Sequence, residues 1–143
     1  MTINSFSAIM FGFVLTLTSH SALADTQETP NLVGTWSGSI VGGARFGELN
    51  HDPAQKEPVF ADRTKVWTLA IEQQEGTGLM GTWSSERKTE KIVGVIRQDN
   101  VTVLLADEDN IFDARILSAD QLELCALEAS PATIAVCYLM KRN

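Results

Sequence analysis

The chain has 143 residues, and 18 acidic against 11 basic side chains leave a formal net charge of −7. That length suits one ordinary domain with one core, and the acidic excess argues against a nucleic-acid backbone as partner, which calls for a basic face. The two cysteines stand in no Cys-x-x-Cys or Cys/His pattern with zinc spacing, so neither a metal nor a cofactor is expected.

Residues 1–24 contain no Asp, Glu, Lys or Arg, and Ile9 to Leu15 form an apolar run. Ala22-Leu23-Ala24 matches the small-x-small site read by signal peptidase, which predicts a cleaved signal peptide and a mature chain starting at Asp25. The run is shorter than the ~20 residues a membrane span needs, so no span is expected in the mature chain. The expected location is the periplasm or the medium. Residues 25–31 are polar, contain Pro30 and read as a flexible leader.

Leu32, Gly34, Trp36 and Ile40 share one face of a strand over residues 32–41, which Gly42-Gly43 is expected to end. Residues 44–65 carry Pro53 and Pro58 and no sustained period. They read as a long mobile loop, with Phe46, Leu49, Val59 and Phe60 apolar enough to fold it back as a lid. Alternation resumes at Trp67, Leu69 and Ile71, and Gly76-Thr77-Gly78 supplies a turn. Further strands follow over 79–85, 90–97, 101–106, 111–117, 122–128 and 133–141, joined by short turns. Eight short strands with no helical period predict one all-β domain over residues 32–143. Short connections make an eight-stranded antiparallel up-and-down barrel the simplest topology, since closure removes both edges. Such a barrel has an interior just wide enough to be filled by side chains or to hold one small ligand.

Cys125 and Cys137 fall in a chain expected to reach an oxidising compartment. A hairpin centred on Pro131 pairs Glu128 with Ile134, Leu127 with Ala135 and Ala126 with Val136, which places Cys125 opposite Cys137. A disulfide between them is predicted.

Leu32-Val33-Gly34-Thr35-Trp36 resembles the first-strand Gly-x-Trp signature of the calycin group. Leu79-Met80-Gly81-Thr82-Trp83 is similar to a later strand of avidin-like proteins, the members most similar to the first half of the mature chain. The resemblance implies a barrel whose last strand ends in a basic residue over the first-strand Trp, a place that Lys141 or Arg142 fills. It also implies ligand contact on the strand bearing Trp83. In avidins a polar turn with Asn holds the ureido group of biotin; here Ser37 to Gly42 lack the Asn and no Trp follows Trp83, so biotin is not the expected ligand.

Trp36 is read as a core plug, whereas Trp83, with Ser85 on the same face, serves either as core or as cavity wall. His51 with Asp52 holds the one histidine of the mature chain; it reads as a solvated loop residue, with general-base work as the alternative. Asp107-Glu108-Asp109-Asn110 reads as a solvated hairpin turn, since it lacks the Gly and distant Glu of a calcium loop. The preferred function is therefore an exported binding module. Its partner is a small apolar or amphipathic ligand, held near Trp83, Ser85, Phe46, His51, Phe60 and Arg115, or an exported protein such as a secreted hydrolase that it inhibits. The alternative is an isomerase- or cyclase-type enzyme in which His51 or Arg115 assists. Binding is preferred because no set of titratable residues converges by spacing.

Overall fold

The structure is a computed structural model that describes residues 28–143; the expected signal peptide, residues 1–24, lies outside the described residues. The chain forms β1 (Gly34–Gly47), β2 (Gln55–Phe60), β3 (Val66–Glu75), β4 (Gly78–Ser84), β5 (Thr89–Ile96), β6 (Thr102–Ala106), β7 (Ile111–Ser118), β8 (Gln121–Glu128) and β9 (Ala132–Arg142). From β3 to β9 every strand pairs antiparallel with the next, and β1 pairs with both β3 and β9. Those eight strands close the up-and-down barrel that the alternating sequence predicts.

β1 is longer than expected, because Gly42-Gly43 bends the strand instead of ending it. Its register against β9 shifts between Ile40 and Gly42, and Gly43 has φ of +135°. A bulge of this kind re-aims a strand without stopping it. The first half of β1 bonds to β3, from Gly34 opposite Ile71 to Ser39 opposite Val66, and the second half bonds to β2, from Ala44 opposite Phe60 to Gly47 opposite Gln55. Much of the expected loop over residues 44–65 is thus strand. β2 shows no alternation and contains Pro58, as suits an edge strand with one unpaired side.

Alternate side chains of every barrel strand point inward, and they fill the interior. Trp36, Leu69, Ile96, Val103, Phe112, Leu124 and Met140 are almost completely buried. Trp83 is only 2% exposed and stacks on Trp67, with ring centroids 5.2 Å apart; Tyr138 and Phe112 meet it edge-on at 5.0 and 5.4 Å. The space bounded by Leu69, Trp83, Ile92, Leu105, Phe112 and Leu124 has a free volume of about 0 Å³. Between core and cavity wall, the structure places Trp83 in the core.

The two glycines that precede a Trp by two residues admit close neighbours. A Cβ on Gly81 would lie 1.9 Å from the Ala70 carbonyl oxygen, and one on Gly34, whose φ is +142°, would lie 3.0 Å from Arg142 Nη1. Arg142 rather than Lys141 covers Trp36, its Cζ 4.1 Å from the ring centroid. The same guanidinium donates to the carbonyls of Val33, Asn31 and Ala119 at 2.7, 2.9 and 3.1 Å. Trp36 Nε1 donates to Leu32 O at 3.1 Å, and Gln74 binds both Pro30 O and Leu32 N at 2.9 Å. The end of the expected loose leader is therefore tied across the closed end of the barrel.

Cys125 and Cys137 are disulfide-bonded, and the register of the last hairpin is the predicted one, from Glu128 opposite Ile134 to Cys125 opposite Cys137.

Candidate functional site

The other end of the barrel is capped by residues 48–54, which connect β1 to β2. Asp52, 4% exposed, pairs with Arg45 on β1 and with Lys65 just before β3, so the connection is pinned at both shoulders. Asn50 reaches across the mouth to Asp109 in the β6–β7 turn. His51 points down between them and is 8% exposed; it is a buried residue, not the solvated one expected.

Both ring nitrogens of His51 are engaged. Nδ1 lies 2.8 Å from Ser85 Oγ, just past the end of β4, and Nε2 lies 2.6 Å from Glu90 Oε2 on β5. The other Glu90 oxygen accepts from Lys88. Burial alone would push the Glu90 carboxyl up, but the bonds from Lys88 and His51 outweigh it and hold the group below its ordinary value. An ionised Glu90 accepts from Nε2–H, which leaves Nδ1 of a neutral ring as acceptor for the Ser85 hydroxyl. Ser85 Oγ in turn accepts from the Arg87 backbone N–H at 3.1 Å. Beneath the histidine, the Trp67 ring meets it edge-on at 4.9 Å, joining the mouth to the aromatic core.

Glu90, Asp107 and Asp109 bring carboxylate oxygens within 4.8 Å of one another. Burial, followed by the charges of Asp107, Glu90 and Glu128, raises the Asp109 carboxyl to about 6. These oxygens already have protein donors: Lys88 and His51 on Glu90, Asn50 and Asn110 on Asp109, Asn110 and backbone N–H groups on Asp107. They belong to a satisfied polar plug.

Of the residues singled out from the sequence, the structure joins Ser85 and His51 directly and sets Trp83 below them, behind Trp67. It does not bring the others to the mouth. Phe46 is 38% and Phe60 92% exposed on the outside of the β1–β2 extension, so neither closes as a lid. Arg115 lies on the outer face of β7, opposite Thr102 and Glu123. Sequence reasoning missed Glu90, Arg45, Lys65 and Lys88. One signal was available: Glu90 and Glu128 fall on the inward phase of their strands, in step with Ile92 and with Leu122, Leu124 and Ala126.

The outer wall carries a second feature. Met80 stands opposite Val93, Val93 opposite Ala106, Ala106 opposite Ile111, and Ile111 opposite Leu127. The row continues through Ala135 and Ala44 to Phe60. Met80, Val93, Ile111 and Leu127 each expose half or more of their surface. Val95 and Leu104 lie beside the row, for an apolar patch on the order of 500 Å², the size of the largest patch on an ordinary monomer, which is often functional. Open grooves of about 340 and 430 Å³ flank it, one by Gly78, Met80 and Gly94, the other by Arg97, Asp113, Arg115 and Glu123. No helix among the described residues is long and apolar enough to cross a membrane.

No protein-family model, curated protein or solved structure matches this chain.

Proposed function

We propose that this is an exported protein-binding barrel that recognises its partner with the outer wall of β4–β8. The observation that carries this reading is the filled interior. A small ligand would need to displace the Trp67–Trp83–Tyr138 stack, and no free volume is left beside it. What remains for recognition is the outside, where the apolar row crosses hydrogen-bonded strands around the curved barrel wall. Lys91, Asp113, Arg115 and Glu123 interrupt the apolar surface on neighbouring positions, the mixture found at protein interfaces, with an apolar centre and polar rim. The cystine of the last hairpin agrees with export, as does the Ala-x-Ala site in the sequence. An avidin-like ligand role receives no support from a barrel packed in this way; a calycin-like frame used from its outside does.

The test compares the exported wild type with a Val93→Lys/Ile111→Lys double variant. Both changes are on exposed positions and are expected to leave the thermal melt within a few degrees. Native mass spectrometry after mild crosslinking should show a protein adduct, hetero- or homomeric, on the wild type and not on the variant. A co-purifying small molecule with no protein adduct, or an adduct indifferent to the double change, would overturn the reading.

A further inference from the structure

We infer that Ser85 is a nucleophile and His51 its general base, in a mouth site that cleaves esters of acetyl-sized acyl groups. The inference stands apart from the docking wall and uses none of its residues.

Three observations converge. The contacts suit a general base: in the tautomer whose Nε2–H donates to buried Glu90, Nδ1 accepts from the Ser85 hydroxyl at 2.8 Å, within the reach a general base needs. The rotamer of His51 is held from three sides, by Ser85, by Glu90 and by the edge contact with Trp67. A catalytic group locked in this way has little reorientation left to make during reaction. Finally, Ser85 is half-buried and borders a pocket of about 50 Å³, with His51, Lys65, Val66, Glu86 and Arg87 as the other walls. That volume holds roughly one or two waters, hence an acetyl group and not a long acyl chain. Arg87 and Lys65, the latter paired with Asp52, set basic side chains on this wall beside Glu86.

The chemistry balances without any further reagent. Ser85 Oγ adds to the acyl carbonyl carbon as its proton passes to His51 Nδ1. The tetrahedral adduct collapses, the carbon–oxygen bond to the alkoxide breaks, and the leaving alcohol takes the proton from Nδ1. Water then adds to the acyl-serine carbonyl as one of its protons passes to His51 Nδ1; the bond from the acyl carbon to Ser85 Oγ breaks, Oγ takes that proton back from Nδ1, and the acid leaves. Glu90 touches neither substrate nor nucleophile; it is a positioning residue that keeps the ring in the productive tautomer.

The full exported protein is treated with a small-alkyl fluorophosphonate and, separately, with 4-nitrophenyl acetate and octanoate. The expected result is one stoichiometric phosphonyl adduct mapped to Ser85. Acetate should be hydrolysed and octanoate not, with loss of about 10²–10⁴-fold in rate in Ser85→Ala and His51→Gln. Glu90→Gln should lower kcat while KM holds. The adduct is read on the unaltered protein, so it does not depend on any variant folding. No adduct at Ser85, or acetate hydrolysis unchanged in Ser85→Ala, would refute the assignment.

Discussion

Replacing Trp83 with Ala decides whether the barrel is a solid body or a container. The indole is 2% exposed and touches Trp67, Phe112 and Tyr138 at ring-centroid distances of 5.2, 5.4 and 5.0 Å. Truncation to Ala removes about 140 Å³, and at about 24 cal/mol per Å³ an uncollapsed void costs about 3 kcal/mol. Strands that bond on both edges cannot move inward to close it, so the loss should fall at about 3–5 kcal/mol, the range of large aromatic truncations. That is about a fifth or more of the 5–15 kcal/mol by which domains are usually stable. Urea melts followed by far-UV circular dichroism measure it, and the slope should stay unchanged if the denatured state is not altered. A loss below about 1 kcal/mol would mean that the indole faces an existing space. The docking reading would then give way to ligand binding inside the barrel.

Gly81→Ala should cost about 3 kcal/mol or more, a large loss by point-mutation standards, because its Cβ would sit 1.9 Å from the Ala70 carbonyl. Gly42→Ala, with open space within 4 Å, should be nearly neutral in the same melts. Arg142→Met keeps the apolar stem but removes three bonds to backbone carbonyls and the contact over Trp36; it should lower stability by about 2 kcal/mol. Asp109→Asn should stabilise the protein at neutral pH. A carboxyl raised from 3.8 to about 6 in the folded state binds more protons there than in the unfolded chain. Its contribution is therefore favourable below about 4 and is lost as pH rises through about 6. Screening at a partly exposed site reduces the gain to about 1 kcal/mol, so melts at pH 7.5 should separate variant from wild type and melts at pH 3.5 should not.

How much of this was legible depended on whether the signal was local. The strands from Val66 onward announce themselves by alternation, and the turn at Ser130-Pro131 was enough to fix the register that sets Cys125 against Cys137. Trp36 was readable because Gly34 stands two residues before the ring, whereas a basic cover from Lys141 or Arg142 was legible only through the resemblance to the calycin group. β2 was invisible, since Pro58 and an exposed edge leave no period to read. The extension of β1 was missed because Gly42-Gly43 looks the same in sequence whether it ends a strand or bends one. The mouth site lay beyond sequence reasoning for a different reason. His51 meets Ser85 and Glu90 across 34 and 39 residues, and only barrel closure brings a loop, a strand end and a strand start to one point. Even so, an acid on the inward phase of β5 was a mark that something at the mouth had to receive it.

The two proposed surfaces can be tested without disturbing each other, and the pleat is the reason. On β5, Glu90 and Ile92 face inward while Val93 faces out; on β4, Trp83 faces inward while Met80 faces out. A charge placed at Val93 or Ile111 therefore meets solvent and any docked partner, not the His51 network, and separated sites with no shared partner are additive to within about 0.5 kcal/mol. The same alternation couples the mouth to the core: His51 rests on Trp67, Trp67 on Trp83, and Trp83 on Phe112 and Tyr138. A loosened core should consequently slow the reaction at Ser85 even where Ser85, His51 and Glu90 are intact. A docked partner on the outer wall should leave that reaction unchanged. Phosphonylation of Ser85 measured in Trp83→Phe and in Val93→Lys/Ile111→Lys separates these outcomes. Slower labelling in the first and unaltered labelling in the second is the expected pair; slowing in the wall variant would show that wall and mouth are one site.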